Sequence, residues 1–353
     1  MSQSISRTAI VLVVICSLST LFLSSPQTIG CTRALYESGA KHYIVGRSMD
    51  WNEDAATHIW AFPKGMKRDG GCGMGSIRWT SKYGSVAVSF YDAATVDGMN
   101  EAGLVANVLY LAEADYGTDK KAGKPSLSIG AWAQYVLDNY GTVAEAVKGL
   151  KAEPFRIVAP VLPNGRPASA HLAIADKSGD SAIFEYVDGK LAIHHSRKYT
   201  VMTNSPIYEK QLAINAYWDE IGGQAMLPGT PRAADRFART SYFLKALPKH
   251  KDTRLAIAGV FSLIRAISVP LGINDPKKPN IATTIWRTVA DANEGLYYYE
   301  SAFSPNTFWV DIKKLNLKVG AEPKRLNLKG HPILAGEVSS QFKKAELFRW
   351  LAP

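Results

Sequence analysis

The chain has 353 residues, of which 46% are hydrophobic and 20% are charged, and this is the composition of a globular protein with a substantial core. Its net charge of +10 is spread along the sequence and forms no basic helix, so we expect no nucleic-acid partner. After residue 30 no apolar run reaches the length of a transmembrane helix, so we expect no membrane span in the mature chain.

The first 30 residues have the pattern of an export leader. Arg7 gives the positively charged start, residues 9–23 form the apolar stretch, and small and turn-forming residues follow. We therefore predict removal of residues 1–30, a periplasmic or secreted product, and a single domain over residues 31–353. A retained N-terminal anchor is the alternative.

From residue 31 to about residue 110 the sequence predicts mainly strands, joined by turns that contain Gly, Asp and Asn. Helices come next. The stretch SIGAWAQYVLDNY places its apolar residues on one helical face. A second helix is predicted to start at Thr142, where Glu145 three residues later completes a capping box.

A second group of strands is predicted between about residues 169 and 203, with a hairpin turn at Asp188-Gly189. Residues 207–219 and 232–267 are predicted to be helical, and the rest of the chain returns to strands. This order of strands, helices, strands, helices and strands predicts an α+β fold in which helices pack outside antiparallel sheets.

The position of Cys31 directly after the leader suggests a nucleophile that carries its own base. A free thiol with a pKa of about 8.5 is mostly protonated at neutral pH and needs a base. Cleavage after Gly30 would expose the α-amine of Cys31, whose ordinary pKa of about 7.7–8.0 suits it to accept the thiol proton. Either a direct cut or an earlier cut near Ser25 with later trimming would produce this end.

Three other interpretations of Cys31 stay open. In an exported chain it can form a disulfide with Cys72, although this would remove the thiol from chemistry. In a lipoprotein Cys31 would carry lipid, and the chain would be an anchored binding protein without catalysis, but Thr28 occupies the place where that signal usually has Leu. In a papain-like hydrolase a distant histidine would be the base, but the local C-G-S-C-W type of motif is absent.

Five stretches of the sequence, in order, resemble the choloylglycine hydrolase and penicillin V acylase family of N-terminal nucleophile (Ntn) hydrolases. They are CTRALY…IVGRSMDW, DGMNEAGL, YTVMTNSP, LPGTPRAADRFART and TTIWRTVAD…LYYYES. The resemblance implies a four-layer αββα sandwich of two antiparallel sheets flanked by helices. It implies no cofactor and no metal, in line with the absence of metal-ligand spacing among the seven histidines. By analogy, a homotetramer is the expected assembly.

The resemblance assigns the first catalytic residues to the start of the mature chain. Cys31 matches the nucleophile, and Arg47 and Asp50 match the pair in the family's GRNMDW-like element, with Ser48 in place of the common Asn. A cation such as Arg47 favours a thiolate, and Asp50 can accept a hydrogen bond from the α-amine. Because residues three apart on a strand face opposite sides, we expect a turn at Ser48-Met49 that brings both to Cys31.

The resemblance assigns the remaining catalytic residues to later elements. Asn204 matches the side-chain donor to the oxyanion, and the backbone N–H of Tyr110 completes the oxyanion hole. Arg236 matches a second active-site arginine, with Arg239 in the same element as the alternative.

The activity implied is hydrolysis of a linear amide between an apolar acyl group and a polar amine, through a thioester on Cys31. The partner is then a small-molecule acyl amide. In this family the substrates are conjugated bile salts or penicillin V, and some Gram-negative members cleave acyl-homoserine lactones, which is the alternative. Bile salt hydrolases usually have Asn where this chain has Tyr110, so this position favours penicillin V. Trp51 is either part of the acyl pocket or a core aromatic residue.

Overall fold

In the computed structural model, the described residues are 30–117, 123–223, 225–273, 282–304 and 306–353. The predicted leader therefore lies outside the described residues, except for Gly30. No helix in the described part of the chain combines the length and the apolar character needed to cross a membrane.

Strands make up most of the regular structure of these residues. The strands before residue 160 are β1 (Cys31–Glu37), β2 (Tyr43–Asp50), β3 (Ile59–Phe62), β4 (Lys67–Asp69), β5 (Arg78–Thr80), β6 (Ser85–Phe90), β7 (Ala94–Asn100), β8 (Val105–Tyr110), β9 (Ser126–Ser128) and β10 (Arg156–Val158). The strands after residue 160 are β11 (Ala170–Ala175), β12 (Ser181–Val187), β13 (Lys190–His195), β14 (Val201–Met202), β15 (Thr284–Asp291), β16 (Leu296–Ser301), β17 (Thr307–Asp311), β18 (Lys324–Leu326), β19 (Gly336–Glu337) and β20 (Lys343–Lys344). The α-helices are α1 (Trp132–Asn139), α2 (Val143–Lys151), α3 (Tyr208–Ile221), α4 (Ala233–Ala246) and α5 (Thr253–Ile267).

Two large sheets stack on each other at the centre of the molecule. The first has the order β14-β1-β2-β15-β16-β17-β19, and the second has the order β13-β12-β11-β8-β7-β6-β3-β18-β20. Their strands pair antiparallel except for the short contact of β17 with β19. Helices α4 and α5 cover the first sheet, α1 and α2 cover the second, and α3 packs on α4. The predicted αββα sandwich is confirmed.

The pairing of β1 with β2 determines which side chains meet between the sheets. Cys31 lies opposite Met49, and Arg33 lies opposite Arg47. Because side chains alternate along a strand, these four face the second sheet, and Thr32 faces the helices. Contacts agree with this assignment, since Arg47 donates to a backbone carbonyl of β8 and the hydroxyl of Thr32 accepts from a side chain of α4.

On the helix side of β2, Gly46 allows α5 to lie close to the sheet. A Cβ at this position would be 2.6 Å from Cγ1 of Val260 and 2.7 Å from Cγ1 of Ile264, both on α5. Any larger residue would therefore push the helix away from the strand that carries Arg47 and Asp50.

The predicted helix over residues 232–267 is two helices, so the prediction for its middle is wrong. α4 ends at Ala246 and α5 begins at Thr253. Pro248 follows the end of α4, and the carboxylate of Asp252 accepts a hydrogen bond from the N–H of Leu255, at 3.0 Å, as an N-cap. The apolar periodicity on both sides of the break conceals these local stop and start signals.

Other local predictions are confirmed in substance. Thr142 caps α2 and accepts from the N–H of Glu145 at 3.2 Å, although the Glu145 carboxylate accepts from Gly141 instead of from Thr142. Asp188 and Gly189 form the turn between β12 and β13, and both have positive φ, at 52° and 74°. This is the backbone geometry that a two-residue hairpin requires.

Candidate active site

Cys31 is the first residue of β1, and its side chain faces the space between the two sheets. Only 2% of the residue is exposed. Its sulfur lies 3.6 Å from Sδ of Met49 and 3.8 Å from Nη2 of Arg47. The thiol is thus enclosed by another sulfur and by one buried cation, and we call this the sulfur side of Cys31.

Contacts on three sides hold the guanidinium of Arg47 beside the thiol. It donates to the carbonyl of Val108 at 3.0 Å and to the carboxylate of Asp97 at 3.3 Å. It also lies 4.4 Å from the ring centroid of Trp286, which is cation–π geometry. A planar cation bound in this way has little freedom to leave the sulfur.

Asp97 is a functional residue that the sequence reasoning missed. It lies in the DGMNEAGL stretch, is 1% exposed, and accepts from Nδ2 of Asn107 at 2.8 Å and from the hydroxyl of Tyr297. An acidic residue inside an otherwise apolar strand was the available signal, because a buried carboxylate needs a cation or several donors. Its cation is Arg47.

The pKa of the Cys31 thiol is raised from its ordinary value, because burial penalises the thiolate, although Arg47 opposes this effect. Arg47 therefore lowers the pKa of the thiol, as predicted, but burial raises that pKa by more. A thiol in this state is not ionised in advance at neutral pH, so chemistry on the sulfur needs a base.

The other side of Cys31, which we call the nitrogen side, is formed by Asp50 and the helix layer. Oδ1 of Asp50 accepts from the hydroxyl of Thr284 at 2.6 Å. Its Oδ2 is buried, lies 3.9 Å from Nη1 of Arg236, and has no hydrogen-bond partner among the described residues. Burial raises the pKa of Asp50, with Arg236 acting against it. A buried carboxylate oxygen without a donor is unusual and points to a hydrogen-bond donor that would complete the site.

Gly30 occupies the space next to that oxygen. A Cβ on Gly30 would lie 2.7 Å from Oδ2 of Asp50, so a larger residue cannot be placed there without displacing the carboxylate. With Gly30 attached, the nitrogen of Cys31 is a peptide nitrogen, and the carbonyl of Gly30 accepts from the N–H of Asp50 at 2.9 Å.

The predicted turn at Ser48-Met49 is wrong. β2 runs without interruption through Asp50, and Arg47 and Asp50 face opposite sides of it. Both nevertheless lie next to the start of β1, because Arg47 reaches the sulfur of Cys31 and Asp50 lies beside the residue that precedes it. The prediction assumed that both residues could reach Cys31 only if the strand bends.

Asn204 connects the nitrogen side to β8. Its Oδ1 accepts from the N–H of Cys31 at 2.6 Å and from Nη2 of Arg236 at 2.7 Å. Its Nδ2 donates to the carbonyl of Tyr110 at 2.7 Å. Since an amide nitrogen carries two hydrogens, one of them stays available for an incoming oxygen next to the Tyr110 backbone.

Arg236, and not Arg239, contacts the start of β1. Arg236 is fully buried and donates to the carbonyl of Cys31 and, at 2.5 Å, to the hydroxyl of Thr32. Arg239 instead donates to the carbonyls of Pro228 and Thr230, away from the thiol. The geometry therefore selects the first of the two candidate arginines.

A cavity of about 80 Å³ opens beside the thiol, and its lining is almost entirely apolar. Cys31, Trp51, Phe90, Tyr110 and Ile129 contribute to its wall. Trp51 packs edge-on against Phe90, with ring centroids 5.0 Å apart, so it is at once a core residue and part of the cavity wall.

Cys72 plays no part in this arrangement. Both Cys31 and Cys72 are free thiols, so the disfavoured disulfide is absent. Among the described residues, no three His, Cys, Asp or Glu side chains form a group that suits a metal ion.

The structure thus brings all of the predicted site residues around the start of β1. Two stacked antiparallel sheets flanked by helices, with Cys31 at the start of a strand of the first sheet, are the architecture of the Ntn hydrolases.

Comparisons with known proteins place the chain within that class. The family model for linear amide C–N hydrolases, choloylglycine hydrolase family, matches residues 31–329. A penicillin V acylase of Pectobacterium atrosepticum is 48% identical over 362 residues, which cover 95% of this chain and 96% of that protein. The chain belongs to the choloylglycine hydrolase family, and it is a hydrolase that acts on carbon–nitrogen bonds in linear amides.

Solved structures agree with this assignment. The penicillin V acylase of Agrobacterium tumefaciens has a TM-score of 0.86 at 51% sequence identity, covering 92% of this chain and all of that chain. A variant of the conjugated bile acid hydrolase of Clostridium perfringens has a TM-score of 0.72 at 23% identity, covering 84% of this chain and 97% of that chain. The second likeness concerns the fold alone.

Proposed function

We propose that the chain, once its leader is removed, hydrolyses the amide bond of penicillin V and similar amides of small apolar acyl groups, with Cys31 as an N-terminal nucleophile. The observation that carries this proposal is that Cys31 presents its thiol to an apolar cavity, while its backbone nitrogen and carbonyl contact Asn204 and Arg236 next to Asp50. The apolar cavity suits an acyl group, and the nitrogen side suits proton transfer to a polar amine.

The size of the cavity supports a small acyl group. Roughly 150 Å³ of apolar cavity accommodates one benzene ring. A cavity of about 80 Å³ is smaller than this, so only part of an acyl group fits inside it and the rest lies at its opening to solvent. A single ring or a short chain would extend less beyond the cavity than the four fused rings of a bile salt. The two relatives near 50% identity are both penicillin V acylases.

Cleavage between Gly30 and Cys31 would supply a hydrogen-bond donor to Oδ2 of Asp50, which has none among the described residues. The new α-ammonium would keep the hydrogen bond to Oδ1 of Asn204 and would have further hydrogens for Oδ2 of Asp50. This support for an N-terminal Cys31 is independent of the position of the leader. We also propose export of the protein to the periplasm or medium, on the basis of that leader.

The first half of the reaction forms a thioester. The α-amine takes the thiol proton, and Sγ of Cys31 attacks the carbonyl carbon of the amide. The carbonyl oxygen becomes an anion and accepts from Nδ2 of Asn204 and from the backbone N–H of Tyr110. The α-ammonium then gives its proton to the amide nitrogen, the carbon–nitrogen bond breaks, and the amine leaves.

The second half regenerates the enzyme. The α-amine, again neutral, takes a proton from water, and the hydroxide attacks the thioester carbon. The same two donors hold the oxyanion, and the carbon–sulfur bond breaks. Sγ recovers its proton from the α-ammonium, and the carboxylic acid departs with Arg47 still beside the sulfur.

Two measurements on the exported protein test this proposal. N-terminal sequencing with intact mass should give a chain that starts at Cys31 with a free amine. The value of kcat/KM should be highest for penicillin V when compared with glycocholate, taurocholate and a long-chain acyl-homoserine lactone. An active sample whose Cys31 nitrogen is acylated or still in a peptide bond would refute the mechanism, and preference for a bile salt or a lactone would refute the substrate.

A further inference from the structure

One wall of the cavity beside Cys31 comes from the other end of the sequence. Leu351 lines the cavity together with Phe90, Ala94 and Ile129. It belongs to residues 347–351, which we call the C-terminal segment and which form neither a strand nor a helix. The branched side chain of Leu351 fills space that an acyl group would otherwise use.

Two backbone hydrogen bonds fix Leu351 to the cavity wall. Its N–H donates to the carbonyl of Ala93 at 2.7 Å, and its carbonyl accepts from the hydroxyl of Ser128. Ala93 and Ser128 directly precede Ala94 and Ile129, which also line the cavity. Leu351 is therefore bound to the same backbone that forms the rest of the wall.

Aromatic contacts hold the preceding residues of the segment against the second sheet. The ring of Phe348 lies 5.3 Å from Trp60 and 6.2 Å from Phe62, measured between centroids. Trp350 packs 5.0 Å from Phe348 and covers Gly71, where a Cβ would lie 2.6 Å from Cβ of Trp350. Gly71 has a φ of +74°, so two separate constraints favour glycine under the indole.

We propose that Leu351 sets the size of the acyl group that this enzyme accepts, and that it restricts the substrates to amides of short or single-ring acids. This inference rests on the proposed function, because it concerns the acyl pocket of the same site. The family model ends its match at residue 329, so this part of the pocket lies outside the region that the match covers. The catalytic residues and this wall therefore occupy separate parts of the sequence.

The test compares two amides that share one amine, the phenoxyacetyl and decanoyl amides of 6-aminopenicillanic acid. Leu351→Ala removes apolar volume from the wall and should raise the ratio of kcat/KM for the decanoyl over the phenoxyacetyl amide by about 10-fold or more. Leu351→Phe adds volume and should lower that ratio. An unchanged ratio in active, folded Leu351→Ala, or a rise with Phe, would overturn the proposal.

Leu347→Ala is the matched control, because Leu347 belongs to the same segment but is 45% exposed and does not line the cavity. It should leave the ratio at the wild-type value. If Leu351→Ala does not fold, Leu351→Phe still tests the proposal from the other direction.

A binding measurement separates this proposal from the proposed function. In a Cys31→Ser background, calorimetry compares the affinities for decanoic and phenoxyacetic acids, and Leu351→Ala should shift their ratio in the same direction as the kinetic ratio. If the wild type hydrolyses neither amide while this binding ratio shifts, the proposed function is wrong and the role of Leu351 stands. If the wild type hydrolyses the amides and neither ratio shifts, the role of Leu351 is wrong and the function stands.

Discussion

The sulfur side and the nitrogen side of Cys31 differ in polarity, in charge and in the elements that build them. The sulfur side lies between the sheets, where Met49 and the guanidinium of Arg47 contact the thiol and apolar side chains line the neighbouring cavity. The nitrogen side consists of Asp50, Asn204 and Arg236, and its residues come from the first sheet, a loop and α4. In the proposed mechanism, one residue at a strand end thereby separates recognition of a carbon-rich group from proton transfer.

The largest expected effect is that of the nucleophile itself. Cys31→Ser replaces the thiol by a poorer nucleophile of nearly the same size, so kcat should fall by more than about 1,000-fold while both sides keep their structure. Steady-state kinetics and the melting temperature check this. A variant with wild-type activity would show that the sulfur of Cys31 is not the nucleophile.

Asn204→Ala should lower kcat by about 100- to 1,000-fold, because it removes an oxyanion donor from the nitrogen side. Gln211→Leu is the matched control, since Nε2 of Gln211 donates only to the backbone carbonyl of Asn204, at 2.9 Å, in the described residues. It should reduce kcat by less than about 10-fold. If Asn204→Ala unfolds the protein and Gln211→Leu does as well, the amide serves the turn and not the reaction.

Arg47 both stabilises the buried Asp97 carboxylate and lowers the pKa of the Cys31 thiol, and a double substitution separates these two effects. Arg47→Met leaves the Asp97 carboxylate buried without its cation, which should cost about 3–5 kcal/mol in the free energy of unfolding. Arg47→Met combined with Asp97→Asn should recover most of that loss. The new amide oxygen can still accept from the hydroxyl of Tyr297, and its nitrogen can donate to Oδ1 of Asn107, which has no partner among the described residues of the wild type, once the Asn107 amide flips.

The reactivity of the Cys31 thiol should not recover in the double variant. Arg47 lowers the pKa of the Cys31 thiol, so its removal should move the pH dependence of Cys31 alkylation to higher pH in both variants. Alkylation rates with iodoacetamide between neutral and alkaline pH measure this. A double variant with the wild-type profile would mean that Arg47 is only a structural residue.

The smallest expected effect is a loss of folding stability at low pH, and it concerns the residues that hold Asn204 on the nitrogen side. Glu185 binds His171 at 2.8 Å, and His171 contacts the carbonyl of Thr203, which precedes Asn204. Burial acts to raise the pKa of Glu185, but hydrogen bonds from His171 and His194 bring it down to about 2.

Because the pKa of Glu185 is lower in the folded state than in the unfolded state, its contribution is complete above pH 4.5 and is lost as the pH falls towards 2. The loss corresponds to about 3 kcal/mol. Denaturant unfolding at several pH values measures it, and in Glu185→Gln the stability should change less over the same interval. Equal pH dependence in both proteins would exclude Glu185 as the source.

Local patterns were sufficient to predict much of the fold. The apolar face of α1, the Thr142 cap and the Asp188-Gly189 turn each depend on residues that are close together in the sequence, so their patterns are visible in it. The break between α4 and α5 is also local, but a regular apolar period on both sides outweighed it. The three-residue spacing of Arg47 and Asp50 led to the incorrect prediction of a bend at Ser48. The spacing does not show that one residue lies beside the sulfur of Cys31 and the other beside its backbone.

The site residues that lie in family-like stretches of the sequence were named in advance. The residues whose contacts join distant parts of the sequence were missed. The pairing of Asp97 with Arg47 joins strands of different sheets, and the contact of Leu351 with the cavity joins opposite ends of the sequence. The acidic Asp97 in its strand indicates that a partner is needed but not which one, and Leu351 has no local signal. Only the stacking of the sheets brings these groups together.

The first residue of a mature chain is usually among its least ordered parts. In the proposed mature chain Cys31 instead pairs within a sheet, with β14 and β2 on either side of its strand, and its own nitrogen and carbonyl are bound by Asn204 and Arg236. The entropy of fixing both reacting groups is therefore lost when the protein folds and not when the substrate arrives. The proposed terminal nucleophile is thereby held in position before any substrate binds.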